Sequence, residues 1–147
     1  MGRGSHRKKK KGKIPYKYIP PVIEYIYNTE FNLYIQESNI KNSGLGVFSN
    51  QLIPKNTYIG NYIGELKENG SFTCGTYAIS LKSNNFIDAY DYPRCIFAMI
   101  NDSRFSNFKY NCDFITFENH VEVWTIDDIN EGDELYCDYG DRYWDHR

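Results

Sequence analysis

A mainly β, single-domain fold with few and short helices is what this sequence predicts, and three observations carry the prediction. Aromatic residues make up 17% of the 147 residues, and 14 residues are tyrosine. Aromatic and β-branched side chains suit the pleated, half-buried surface of strands. Apolar residues alternate with polar ones over several short stretches, a period of two rather than 3.6. Glycine- and asparagine-rich punctuation separates those stretches, and no long amphipathic helical pattern occurs. The length suits one domain with a sizeable core.

The elements follow in order. Residues 1–13, "MGRGSHRKKKKGK", carry seven Lys and Arg and no acid. That composition predicts a disordered basic tail, of a kind also read by nuclear import or by nucleic acid. The remaining chain holds ten basic and nineteen acidic residues, so the total of −2 hides a body near −9. Long-range attraction then favours a basic partner for the body over nucleic acid. Residues 14–30 are punctuated by prolines and read as an arm laid on the domain, which itself runs from 31 to 147.

"FNLYIQES" places Phe31, Leu33 and Ile35 on one face of a strand, and "NSGLGVFS" follows. "TYIGNYIGEL" is β-rich but broken by Gly60 and Gly64, and "KENGSFTCG" is a turn-rich loop. "TYAISL" and "NFIDAY" read as a hairpin around "KSNN". "PRCIFAMIND" is the best short helix candidate, followed by the polar and aromatic loop "SRFSNFKYN". "CDFITF" and "VEVWTI" are strands joined at "ENH", and "DDINEGDEL" is a loop.

The four cysteines, Cys74, Cys95, Cys112 and Cys137, form no C-x-x-C pair, and only three histidines exist. Free buried thiols are expected, with no metal site. No apolar run reaches the roughly 20 residues of a membrane span, and no secretory segment opens the chain, so an intracellular protein is expected. "GLG" at residues 44–46 lacks the third glycine and the long helix of a dinucleotide loop. It fits a tight turn, or a bare backbone laid against a ligand. "INDS" at residues 100–103 reads by itself as an Asx turn. His6, His120 and His146 make no nucleophilic triad with Ser103.

The order of the pieces says more than any one of them. "GLGVF", then "YIGE" at residues 62–65, "TYAISL", "IDA" at 87–89, "MINDS", and finally "INEGDELYCDYGDRYW" succeed one another with regular spacing. In this the chain resembles the SET-domain family of protein lysine methyltransferases, from about Phe31 to Trp144. The resemblance implies small curved, β-clip-like sheets and a C-terminal segment threaded as a pseudoknot, an exception to ordinary connectivity. Such threading would bring "INDS" beside "DYG".

The resemblance also implies S-adenosylmethionine as cofactor and a lysine ε-amine as acceptor. The amine must be neutral, which near pH 7.4 costs about 4 kcal/mol for an ordinary lysine. An apolar aromatic channel helps by disfavouring the ammonium. By position, Tyr139 is the family's catalytic tyrosine. Ser43, Gly44 and Leu45 would meet the cofactor through backbone, Tyr77 from the mid-domain strand, and Asn101 by hydrogen bond with the Asp102 backbone beside it. Tyr143 would cover the adenine, while Tyr62 and Cys137 would line the lysine channel. Trp144 reads as packing.

Two departures stand out. Family N-H-S-C is N-D-S-R here, with Asp102 for histidine and Arg104 for cysteine. The later family asparagine is Asn107 by strict count, or Asn111 if the loop carries an insertion; Asn111 is preferred because "NC" then enters a strand. The zinc-binding cysteine cluster of many members is absent after Trp144. The chain is thus similar to compact, zinc-free members, including viral and bacterial ones. Histone tails are the implied substrate class, with di- or trimethylation permitted because Cys137 replaces the usual Phe or Tyr. The basic tail adds an expected nuclear location and nucleosome or DNA contact. The alternative is a catalytically weak SET-like module that binds basic peptides, supported by Asp102; a nucleic-acid binder acting through its tail is a third.

Overall fold

A computed structural model describes residues 23–68 and 75–140 of the chain. Strands β2 (Leu33–Glu37) and β3 (Leu45–Ser49) form an antiparallel hairpin with Ile35 opposite Val47. Their connection turns through Asn42 and Gly44, both at positive φ. Asparagine and glycine adopt that conformation at least cost. Phe31 and Ile35 pack on the core beside buried Leu33, as the alternation predicted.

Strand β4 (Tyr58–Asn61) joins β10 (Cys112–Thr116) and β11 (Val121–Thr125) in a three-stranded sheet with β11 at its centre. Along β11, Val121, Val123 and Thr125 are buried while Glu122 and Trp124 are less so. A second sheet holds β5 (Glu65–Lys67), β6 (Ala78–Ser80) and β7 (Phe86–Asp88), with β7 central. The expected hairpin around "KSNN" is present, Ile79 facing Ile87. The β-rich run at residues 57–66 therefore splits between two sheets. Gly64 sits so close to the Asp88 and Ala89 backbone that no side chain fits there.

The arm enters the fold through β1 (Tyr25–Ile26), which pairs in parallel with β8 (Arg94–Cys95). The predicted helix over "PRCIFAMIND" is reduced to a single 3-10 turn, Ile96–Met99. Both its flanks belong to strands, β8 before it and β9 (Asn101–Asp102) after it. Ile96 and Phe97 are fully buried. An apolar run buried on every side carries no periodicity that separates helix from strand.

Strand β12 (Tyr136–Cys137) pairs in parallel with β9, Tyr136 against Asn101 and Cys137 against Asp102. The juxtaposition of "INDS" with "DYG" is thus real. The crossover between them carries the β10–β11 hairpin instead of the usual helix. The "NEGD" turn docks on β3: Gly132 N–H donates to Ser49 O at 2.7 Å and Leu135 N–H to Val47 O at 2.8 Å. One core unites these small sheets, with Val47, Ile53, Phe97, Val123, Ile129 and Leu135 fully buried. Among the described residues no helix is long and apolar enough to cross a membrane.

Candidate active site

The loop before β3 and the strand β9 meet through side chains. Asn101 Nδ2 donates to Leu45 O at 2.9 Å and to Glu134 Oε2 at 3.4 Å. Asn101 Oδ1 accepts from no group among the described residues, so one polar atom of the amide is left for a ligand. Around Gly44 there is open space where a Cβ would sit. Ser43, Gly44, Leu45 and Asn101, all singled out from sequence, are therefore brought together.

Glu134 is what joins them, and sequence reading passed over it. Its carboxylate is buried, 3% exposed. It accepts from Ser38 Oγ at 2.7 Å and from Asn39 N–H at 2.7 Å, besides the Asn101 amide. A buried carboxylate is tolerable only with such donors. The second glycine of "GLG" makes the room: a Cβ on Gly46 would collide with Glu134 Oε2. The signal available in the sequence was the pair of acids in "GDEL", one of which had to be internal.

A cleft of about 380 Å³ opens beside Ile100 and Tyr139. Tyr62, Ile79, Phe86, Phe97, Phe114 and Tyr139 give it an aromatic and aliphatic wall, and Asp138 and Thr116 its polar points. Tyr62 donates its hydroxyl to Tyr77 O at 2.7 Å and packs against Phe114 with ring centroids 5.4 Å apart. Burial above all pushes the Tyr62 phenol well above its ordinary range, with the Arg94 charge opposing. Tyr62 is therefore a protonated donor at any physiological pH.

Tyr77 belongs to this side by its contacts. The buried guanidinium of Arg94 lies 3.9 Å from the centroid of the Tyr77 ring and 4.3 Å from that of Tyr92, and donates to Ala89 O at 3.2 Å. A cation held by ring faces and carbonyls is stabilised without a carboxylate. Arg94 is the second residue that sequence reading missed; the tyrosines of "AYDYPR" were its only trace.

Tyr139 stands between the two halves. Its ring lines the cleft. Its hydroxyl donates to Ile100 O at 2.7 Å, and its own N–H donates to Asp102 Oδ2 at 2.8 Å. Both anchors flank Asn101 on β9. Tyr143 and Trp144 lie outside the described residues. Cys137 requires a correction: its side chain is fully buried and it is not part of the cleft wall. The pairing of β12 with β9 turns it into the core near Cys112, and burial raises its thiol well above the ordinary range. Of the two candidates for the later family asparagine, Asn111 is the one with contacts to β12. Its amide brackets β12, donating to Glu134 O at 3.0 Å and accepting Tyr136 N–H at 2.8 Å, whereas Asn107 is exposed.

A glycine loop, a strand bearing Asn101 and a segment bearing Tyr139 are joined in this way. The SET domain profile matches residues 44–140. The chain belongs to the SET-domain family. It is 29% identical over 117 residues to the N-lysine methyltransferase KMT5A-A of Danio rerio, covering 70% of this chain and 34% of that protein. To the histone-lysine N-methyltransferase Set8 of Drosophila melanogaster it is 28% identical over 122 residues, 74% of this chain and 18% of that protein. The chain thus spans about a third or less of the length of these relatives.

Proposed function

We propose that this SET domain is an S-adenosylmethionine-dependent protein lysine N-methyltransferase that acts on basic peptides, histone tails being the substrate class. The single observation that carries the reading is the position of Tyr139. It forms one wall of an aromatic cleft and is anchored to the strand whose Asn101 reaches the glycine loop.

S-adenosylmethionine, when bound, supplies an electrophilic methyl group on a sulfonium centre. Ser43, Gly44 and Leu45 would hold it through backbone, Asn101 through its amide, and Asp102 through its main chain, with Tyr77 and Tyr143 as aromatic contacts. The open space at Gly44, and an Asn101 Oδ1 that accepts from no group among the described residues, fit that role. The cleft does the rest. Its apolar walls penalise an ammonium and so favour the neutral amine that attacks. The Tyr139 hydroxyl donates to Ile100 O, which fixes its ring beside the place where the amine would sit. Fixing two reactants in line is worth several kcal/mol of barrier. The acidic body suits a lysine-rich peptide, and the basic tail suits nucleosome contact and a nuclear location. Di- and trimethylation are part of this reading only by the family position of Cys137, which is packed in the core and does not line the cleft.

The test is incubation of the full chain with labelled S-adenosylmethionine and core histones, beside a panel of non-histone basic proteins, with mass-resolved products. Incorporation on lysine is expected, and Tyr139→Phe should lower the rate by about 10²-fold or more. Absence of label on every substrate would leave the rival reading, a module that binds basic peptides without turnover. That rival rests on Asp102 in place of histidine, yet the Asp102 carboxylate holds Tyr139 directly.

A further inference from the structure

We infer that Asp102 and Arg104, the two departures from the family's N-H-S-C pattern, form a matched bracket that positions Tyr139. The inference rests on the proposed role of Tyr139. Asp102 is 8% exposed. Its two oxygens do different things: Oδ1 accepts Arg104 N–H at 2.6 Å, two residues on, and Oδ2 accepts Tyr139 N–H at 2.8 Å, across to the segment that follows β12. A neutral imidazole offers one acceptor nitrogen and could not hold both amides; a carboxylate can. The loop and the tyrosine segment are thereby tied through one rigid planar group.

Arg104 completes the bracket from the other side. Its Nη2 lies 3.2 Å from Asp138 Oδ1, and the same oxygen accepts Gly140 N–H at 2.8 Å. Residues 138, 139 and 140 are therefore each held, by a side chain or a backbone N–H, to groups of the 102–104 loop or to one another. Charge explains why the two substitutions belong together. Arg104 touches both carboxylates, its N–H on Asp102 Oδ1 and its Nη2 against Asp138 Oδ1. Bringing an aspartate to position 102 without a cation would set two carboxylates against each other. Arg104 supplies that cation. Its own contact is partly exposed, with side chains 27% and 39% accessible, so solvent screens it and Asp102 carries the larger share. With N–H fixed by Asp102 and hydroxyl fixed by Ile100, the Tyr139 ring has little freedom to swing.

The test compares Asp102→Ala, Asp102→Asn, Arg104→Ala and the double alanine variant of the full chain. The readouts are steady-state methyl transfer well below each melting midpoint, and calorimetric binding of S-adenosylmethionine. Asp102→Ala should lower kcat on the order of 10- to 100-fold while cofactor Kd moves by less than about 3-fold, because orientation and not binding is lost. Arg104→Ala should lose less, and the double variant should lose less than the product of the singles, since both act on one segment. Asp102→Asn removes one acceptor in an isosteric side chain, so it should fold and give an intermediate kcat. Wild-type kcat in Asp102→Asn, losses in kcat and cofactor affinity of equal size in Asp102→Ala, or independent losses in the double variant would each overturn the bracket. Tyr139→Phe separates the two ideas. If it keeps wild-type kcat, the role of Tyr139 fails; if it is inactive while the Asp102 variants are not, the bracket alone fails.

Discussion

At position 137 a small thiol stands two residues before Tyr139, where the family resemblance places control over the number of methyl groups transferred. The structure puts this thiol in the packed core and not on the cleft wall, so any effect of position 137 on the channel runs through the packing around Tyr139. Cys137→Tyr must force a phenol into that packed layer, at about 1–3 kcal/mol of overpacking. The ring would crowd the space between the Tyr139 wall and the core. The expected outcome is a lowered melting midpoint together with a product distribution shifted toward monomethyl-lysine, read by mass spectrometry of a histone-tail peptide. A variant that folds and yields the same mono-, di- and trimethyl ratios as wild type would sink the idea of a roomy channel.

Elements in this fold are held to one another at single buried contacts, and the approach of the glycine loop to β9 is the clearest case. Gly46 is required for space: any Cβ meets Glu134 Oε2, with Asn101 Nδ2 3.3 Å away. Glu134 cannot retreat without giving up Ser38 and Asn39, and a buried carboxylate that loses donors costs about 1–3 kcal/mol or more. Gly46→Ala should therefore destabilise the chain by at least that amount and displace Asn101. Chemical denaturation would read the first, and calorimetry with S-adenosylmethionine the second; an unshifted denaturation midpoint would refute the packing argument. At this scale the sequence was partly legible. Hairpins with period-two alternation, such as β6–β7 and β10–β11, could be seen because half-buried strands write their faces in the chain. The 3-10 turn at Ile96–Met99 could not, since a segment buried all round leaves no pattern, and the parallel β9–β12 pair came only from family likeness. Glu134 escaped because its partners Ser38, Asn39 and Asn101 lie far away in sequence, whereas Arg94 is held mostly by neighbours, the Ala89 and Tyr90 carbonyls and the Tyr92 ring, which carry no charge to mark a buried cation.

Among the described residues the thiols sit in the core, and this shapes the response to alkali. Cys95, Cys112 and Cys137 are free and buried, and burial raises all three above the ordinary thiol range. Tyr62 is raised for the same reason. In each case the folded chain favours the neutral form. Below the unfolded thiol value of about 8.5 both states are protonated and these groups do not affect stability. Above it the unfolded chain releases protons that the folded chain retains, so stability falls as pH rises. Each proton that the folded chain retains costs about 1.4 kcal/mol per pH unit between the unfolded and folded values. Tyr62 adds to the slope above about pH 10. Urea midpoints should thus be level from pH 7 to 8 and drop steeply by pH 10. Cys112→Ala will lower stability at every pH by leaving a cavity, so the informative quantity is the slope, which should flatten by about one thiol's share. A profile flat to pH 10, or a slope untouched by Cys112→Ala, would mean that these thiols ionise as readily inside the fold as outside it.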